Sequence, residues 1–335
     1  MVLNRPGPAS PESPLEEEDR PPPEPGPGEL VVAVDACGVC RTDLQLAEGD
    51  LAARRLPIVP GHQIVGRVAA VGAGVEGRRE GDRVGVTWLA GSCGDCDRCR
   101  EGRENLCAQG RFTGWDVDGG FADAAVVDAS VAVPIPDRFA DLDAAPLLCG
   151  GVVGYRALRL ADVPPGGRLG LYGFGASAIC VIQVARHRGC EVYVCTRSER
   201  ERRRARELGA AWAGGYDETP PQALDAAITF APVGEVVVAA LGAVGRGGKV
   251  VVNAIHLDRI PEFPYERLWW ERTLTSVANV TRRDAREFLE LAAEIPVRTA
   301  VEPHPLERAN LALTRIREGE VDGAAVLTIG DGGGA

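Results

Sequence analysis

The rhythm of apolar positions changes near residue 146. Before it, short runs of β-branched alternation predict strands at 30–36, 64–71, 83–86 and 122–127, parted by Gly/Asp turns. This stretch reads as an irregular all-β unit. Beyond it, 147–160 has the spacing of one long apolar helix. Strand and helix patterns then alternate at 168–172, 177–187, 191–195, 199–208, 225–230, 235–244 and 249–253. Such alternation predicts a doubly wound parallel sheet. The last segment returns to mixed elements, a helix at 306–318 and a strand at 324–329. The Pro- and acid-rich stretch up to Gly28 has no comparable pattern and reads as a loose tail. The fold class is therefore α/β plus β. The boundaries fall at 1–150 for the first domain, 151–294 for the parallel-sheet domain and 295–335 for a return to the first.

Composition narrows the function. In 335 residues, Lys+Arg number 37 and Asp+Glu 48, a net charge of −11 that argues against nucleic acid and anionic membrane as partners. No apolar run approaches the ~18 residues of a membrane span, and no basic segment followed by an apolar stretch opens the chain. Ten cysteines in a chain without a visible secretory signal point to metal or redox chemistry in a reducing cytoplasm, not to a disulfide framework.

Four of these cysteines, Cys93, Cys96, Cys99 and Cys107, follow C-x2-C-x2-C-x7-C. Four thiolates gathered in fifteen residues suit a closed, structural zinc site, with Gly91, Gly94 and Gly102 allowing the backbone to turn tightly. The lobe sets three arginines (98, 100, 103) against Asp95, Asp97, Glu101 and Glu104, so it has no basic stripe for nucleic acid. Cys40, His62 and Cys149 are scattered, but each lies in small-residue or turn context: Gly38-Val39-Cys40, Pro60-Gly61-His62-Gln63 and Cys149-Gly150-Gly151. Two thiolates and one imidazole would leave zinc a fourth position for substrate.

A third motif sits where strand 168–172 meets the next helix. Gly173-Phe174-Gly175-Ala176-Ser177-Ala178 matches G-x-G-x-x-A, and the order strand, loop, helix gives it weight as a pyrophosphate cradle. The following strand ends at Thr196-Arg197-Ser198, where a carboxylate for ribose hydroxyls is the usual NAD signature. A hydroxyl and a planar cation there favour NADP(H), with NAD(H) as the alternative.

Taken together, these pieces resemble the zinc-containing alcohol dehydrogenases of the medium-chain dehydrogenase/reductase superfamily, and within it the bacterial cinnamyl-alcohol-dehydrogenase-like or propanol-preferring branch. The residues carrying the resemblance are 36–43 (ACGVCRTD), Pro60-Gly61-His62, 81–85 (GDRVG), the four-cysteine lobe, 145–149 (APLLC) and the nucleotide loop, in the expected order. Trp88-Leu89, Ser92-Cys93 and Phe112-Thr113-Gly114-Trp115 fit the branch. The resemblance implies a GroES-like catalytic domain built from both chain ends, a Rossmann domain in the middle, and the active site in the cleft between them. It implies two zinc ions per chain, one of them catalytic on Cys40, His62 and Cys149. Thr42 would take the substrate proton, Asp43 would orient His62, Arg41 would meet the cofactor pyrophosphate, and Trp88 would wall the substrate pocket. The substrate would be an alcohol or its aldehyde or ketone, and the assembly a homodimer or homotetramer.

Three departures from the family pattern stand out. Gln45 replaces a relay histidine, Gln63 replaces the glutamate after the zinc histidine, and Ala324 follows Gly323 where arginine is common. The competing readings are a zinc-stapled nucleotide-binding protein without catalysis, disfavoured by the intact Cys40, Thr42, His62 and Cys149, and a zinc-free quinone reductase, which lacks both cysteine sets.

Overall fold

The structure is a computed structural model that describes residues 1–295 and 297–330. The chain forms two compact units. Met1–Cys149, Asn279–Ala293 and the segment from Arg298 onward make one; Gly150–Ala278 and Glu294–Val297 make the other. The chain re-enters the first unit at Asn279, whereas the sequence pattern draws the return at residue 295. The amphipathic helix Arg282–Glu294, which buries Ala285, Phe288, Leu289 and Ala292, accounts for most of that difference.

The strand Glu29–Val39 organises the first unit. One edge is shared by two antiparallel partners, Ala124–Asp128 against its first half and Ala324–Thr328 against its second; the other edge pairs with Gln63–Val71. With neighbours along both edges, the strand is buried over most of its length, so its core-facing alternation is weak. The sheet continues through Arg83–Val86 to Val133–Pro134 on one side and to Val301–Pro305 on the other. The register sets Gly38 opposite Gln63 and Cys37 opposite Ile64. Cys40 and His62 therefore sit just beyond neighbouring strand ends, brought together by backbone pairing from 22 positions apart.

The first residues of the chain are not a loose tail. Val2–Leu3 pairs antiparallel with Leu15–Glu16, and Leu3 exchanges backbone hydrogen bonds with Ile58. Val2, Leu3 and Leu15 are core residues at 2% exposure or less. The Met1 ammonium donates to the Phe121 carbonyl at 2.7 Å. Asn310, buried on the helix Ala309–Glu318, accepts from the Leu15 amide at 3.0 Å and donates to the Leu15 carbonyl at 2.9 Å. Prolines dominate the segment's composition and hide this apolar pairing from pattern reading.

The second unit is a six-stranded parallel sheet in the order Trp212–Gly214, Glu191–Cys195, Arg168–Tyr172, Leu224–Thr229, Val244–Val252, Thr273–Ser276. In chain order that is 3-2-1-4-5-6, the doubly wound dinucleotide-binding arrangement. Its strands are small and β-branched because they are covered on both faces. Helix Gly150–Ala161 leads into the sheet, and helices Ala176–His187, Glu199–Glu207 and Gly234–Ala243 lie in the connections between its strands. The long helix read at 147–160 is in fact two pieces: a 3-10 turn at Ala145–Leu148 and the helix from Gly150, broken at Cys149 (φ −125°, ψ −77°). Pro146 at the start of the turn and the Gly150-Gly151 pair explain the break. Among the described residues no helix is long and apolar enough to cross a membrane.

Asn310→Ala is expected to leave the buried Leu15 amide and carbonyl unpaired and to cost about 1–3 kcal/mol. A thermal melt should show a lower Tm; an unchanged Tm would mean the N-terminal pairing contributes nothing to stability.

Candidate active site

Ligand by ligand, local folding explains the first cluster. Cys40 is the N-cap of the helix Arg41–Glu48, its sulfur accepting from the Thr42 amide at 3.3 Å, and Asp43 closes the capping box by accepting from the Cys40 amide at 2.8 Å. His62 follows Gly61, whose φ of +96° turns the chain into the strand. A Cβ at Gly61 would stand 2.4 Å from Phe121 and 2.9 Å from the Cys37 sulfur, so only glycine fits. Cys149 lies at the helix break. The three ligand atoms lie within 4.8 Å of one another, with Cys40 Sγ 3.5 Å from His62 Nε2.

Beneath them lies Asp43, 3% exposed. Its Oδ1 accepts from the Gly61 amide at 3.2 Å and lies 3.2 Å from His62 Nδ1, while Oδ2 takes the Cys40 amide. One carboxylate thus anchors the backbone at Cys40, the backbone of Gly61 and the ring of His62, and it fixes the imidazole with Nε2 toward the sulfurs. Burial raises the Asp43 pKa, an effect His62 opposes. For His62, burial acts against the charged ring, but the Asp43 carboxylate and Cys40 push its pKa well above the ordinary value. The Cys149 hydrogen bond draws the Cys40 thiol well below its usual range despite burial, and the same bond, with burial, raises Cys149. Two sulfurs and one imidazole nitrogen converge within 4.8 Å, a donor set that could hold a divalent cation, whose binding would displace their protons.

Thr42 is half-buried at the helix start and Arg41 beside it is exposed. The three departures take distinct positions. Among the described residues, Gln45, 6% exposed, has no partner for Oε1, and Gln63, 4% exposed, has none for Nε2 and packs its side chain against Gly38. Ala324 opens its strand and donates its amide to Ala300.

The four-cysteine lobe also closes. All four sulfurs lie within 4.8 Å of one another, with Cys93 3.8 Å from Cys99 and 3.5 Å from Cys107. Gly94 (φ +80°) and Gly102 (φ +68°) make the turns. Chiefly through a Ser92 hydrogen bond, the Cys99 thiol is pulled down to about 7, while an Asp95 hydrogen bond pushes Cys93 up to about 12. A residue not foreseen from sequence fastens the lobe: Glu104, 4% exposed, accepts from the Arg282 amide at 2.9 Å and from its guanidinium at 3.2 Å. Its position between two cysteines gave no signal, since its partner is 178 residues away.

In the second unit, a Cβ at Gly173 (φ +93°) would stand 3.1 Å from the Ala231 amide nitrogen, and Gly175 has open space where a side chain would stand. Gly175 caps the helix Ala176–His187, so the amides of Ala176, Ser177 and Ala178 belong to a first turn that lacks intrahelical partners. With Phe174 buried beneath, the loop offers an anion cradle. At the next strand end the outcome differs from expectation. The buried Thr196 hydroxyl donates to Glu201, so this donor is engaged, and Ser198 caps the helix Glu199–Glu207 by accepting from the Glu201 amide. Arg197 is exposed, with no side-chain hydrogen bond or ion pair among the described residues. Glu201 was missed because its carboxylate reaches the strand end only by winding back through one helical turn.

Trp88 lies beside the first cluster, its ring centroid 6.1 Å from that of His62. Phe112 and Trp115 join it, at 4.9 and 5.6 Å, the latter nearly stacked at 23°.

Residues 26–137 match the alcohol dehydrogenase GroES-like domain and residues 178–294 the zinc-binding dehydrogenase domain. The chain is 49% identical over 333 residues to a probable alcohol dehydrogenase, AdhA, of Mycobacterium tuberculosis, covering 98% of this chain and 96% of that one. It is 35% identical over 311 residues to an alcohol dehydrogenase of Geobacillus stearothermophilus, covering 90% and 92%. Among solved structures, a cinnamyl alcohol dehydrogenase of Sorghum bicolor superposes with TM-score 0.85 at 27% identity and 92% coverage of each chain. A cobalt- and zinc-bound thermostable alcohol dehydrogenase of Pyrobaculum aerophilum does so with TM-score 0.87 at 26% identity and 98% coverage of each.

Metal analysis of the intact protein is expected to find two zinc ions per chain. Cys149→Ser should remove one and abolish turnover with the Tm nearly kept; Cys99→Ser should remove the other and lower the Tm, since closed sites contribute folding energy. Equal loss of Tm in both variants would contradict this division of roles.

Proposed function

The chain belongs to the zinc-dependent alcohol dehydrogenases of the medium-chain dehydrogenase/reductase superfamily, and from that premise we propose how its residues share the work. The enzyme interconverts alcohols and their carbonyl counterparts. The observation that carries the residue assignment is the Cys40–His62–Cys149 cluster seated on one buried carboxylate. Three protein ligands are the number that leaves a catalytic zinc one open position, while the four thiolates of 93–107 make a closed set. When bound, zinc supplies Lewis acidity toward the substrate oxygen and a nicotinamide dinucleotide supplies the hydride acceptor or donor.

The chain's own residues do the rest. Thr42, two residues beyond Cys40, accepts the alcohol proton at Oγ1 as its own hydroxyl proton passes on to solvent in oxidation, and both transfers run in reverse in reduction. Asp43 keeps His62 in the tautomer that presents Nε2 to the cluster. Gln45 holds the place where relatives carry a proton-releasing imidazole; its amide has no titratable proton, so the relay passes from Thr42 by another route. Trp88 forms the substrate wall. Gly173, Phe174, Gly175, Ala176, Ser177 and Ala178 cradle the pyrophosphate, with Arg41 as a further cation. Arg197 binds the adenosine 2′-phosphate, which makes NADP(H) the favoured cofactor and NAD(H) the weaker one. With Thr196 engaged by Glu201, this preference rests on the Arg197 guanidinium alone. Ten free cysteines suit work in the reducing cytoplasm, and the family's habit makes a homodimer or homotetramer the expected assembly.

Thr42→Ala is expected to lower kcat by roughly 10²–10⁴, with cofactor binding retained in a fluorescence titration; full activity would exclude Thr42 as the proton acceptor. For Arg197→Ala, kcat/KM with NADP(H) should fall by roughly one to two powers of ten and change little with NAD(H). A wild-type enzyme that favours NAD(H) by about tenfold would overturn the cofactor assignment.

A further inference from the structure

The loop between Cys40 and His62 carries three ties that the assigned chemistry does not use. Trp115 Nε1 donates to the Ala52 carbonyl at 2.9 Å. The Arg54 guanidinium reaches both carboxylate oxygens of Asp116 at 3.1 Å and lies 3.8 Å above the Trp115 ring. Arg55 pairs with Asp118 at 2.8 Å. The chain that links two metal ligands is thereby clasped to the turn bearing Trp115. Trp115 stacks on Trp88, and Trp88 stands beside the ligand His62.

We propose that Arg54 is a positioning residue for substrate selection: stacked on Trp115 and paired with Asp116, it holds the Trp115–Trp88–Phe112 wall in place beside His62, so that the site favours uncharged alcohols and carbonyls with a planar apolar group. This rests on the dehydrogenase reading of the same site. Three observations carry it. Trp88, Phe112 and Trp115 are each only partly buried, so the wall keeps aromatic surface for a ligand. The Arg54 charge is matched by Asp116, which removes the attraction a free guanidinium would have for a carboxylate substrate. The cation sits over Trp115 and 5.4 Å from the Phe112 centroid, so it bears on two of the three rings at once. A guanidinium stacks face to face on an indole, whereas an ammonium offers only a point charge. Ring pairs with centroids 4.5–7 Å apart gain from the geometry being held.

The test compares kcat and KM for cinnamyl alcohol and propan-1-ol in the wild type, Arg54→Ala, Arg54→Lys and Arg55→Ala, with tryptophan emission recorded on titration with cinnamyl alcohol. In Arg54→Ala the selectivity for cinnamyl alcohol over propan-1-ol should fall by about three- to tenfold. The loss should appear in KM for cinnamyl alcohol and as weaker quenching of tryptophan emission. Arg54→Lys should recover part of it. Arg54 is half-exposed, so folding should survive; if a melt shows otherwise, the lysine variant decides by the same ratio. A selectivity ratio equal to wild type in the arginine-54 variants overturns the proposal, and so does an equal fall in Arg55→Ala, which would assign the effect to loop tethering in general. A wild-type protein that oxidises neither alcohol with either cofactor overturns the dehydrogenase reading itself, and the proposal with it.

Discussion

A single buried carboxylate organises the catalytic unit. Asp43 lies at 3% exposure and accepts from the Cys40 amide, the Gly61 amide and the His62 ring. A charge so placed is tolerable only because donors surround it; breaking a buried pair by removing one partner costs about 3–5 kcal/mol. The same carboxylate closes a capping box, so the start of the Arg41–Glu48 helix, the orientation of an imidazole and the glycine turn before it are one interaction. Gly61 has no freedom to be anything else, with Phe121 and the Cys37 sulfur occupying the space of a side chain. Thr42 inherits its place from this arrangement, because its amide caps onto the Cys40 sulfur.

The two cysteine clusters are chemically alike and structurally opposite. Four consecutive sulfurs on a short glycine-hinged lobe make a site that local sequence can close by itself. The lobe still depends on the body of the unit through Glu104, whose buried carboxylate meets the first residues of the Arg282–Glu294 helix. The Cys40–His62–Cys149 cluster has no such local logic. Strand register, a helix cap and a broken helix each deliver one ligand, and rigidity comes from elements that are also the unit's core. Four thiolates make a closed tetrahedral set, whereas three donors leave a metal one open position.

The side bearing Trp88 and Trp115 shows how surface interactions extend the same framework. The ion pairs of Arg54 and Arg55 are exposed, and isolated pairs of that kind contribute little to stability. They fasten the loop between Cys40 and His62 to the turn bearing Trp115. In the second unit, Glu201 and Thr196 show the complementary lesson. A strand end that looks free of carboxylate in sequence has one folded back onto it.

Much was legible in the sequence because it is local. The C-x2-C-x2-C-x7-C spacing, the glycine loop between strand and helix, and the alternation of strands and helices after residue 146 each encode their structure within one or two turns of chain, and the parallel sheet in 3-2-1-4-5-6 order follows that alternation. What tertiary structure alone decided is long-range. The apolar beginning of the chain joins the core through Ile58, Phe121 and Asn310, contacts 55 to 295 residues distant in sequence that proline-rich composition conceals. The Glu104 latch and the Arg54 clasp are equally invisible. A side chain's partner is chosen by the register and packing of elements far apart in sequence, and no local spacing carries that information.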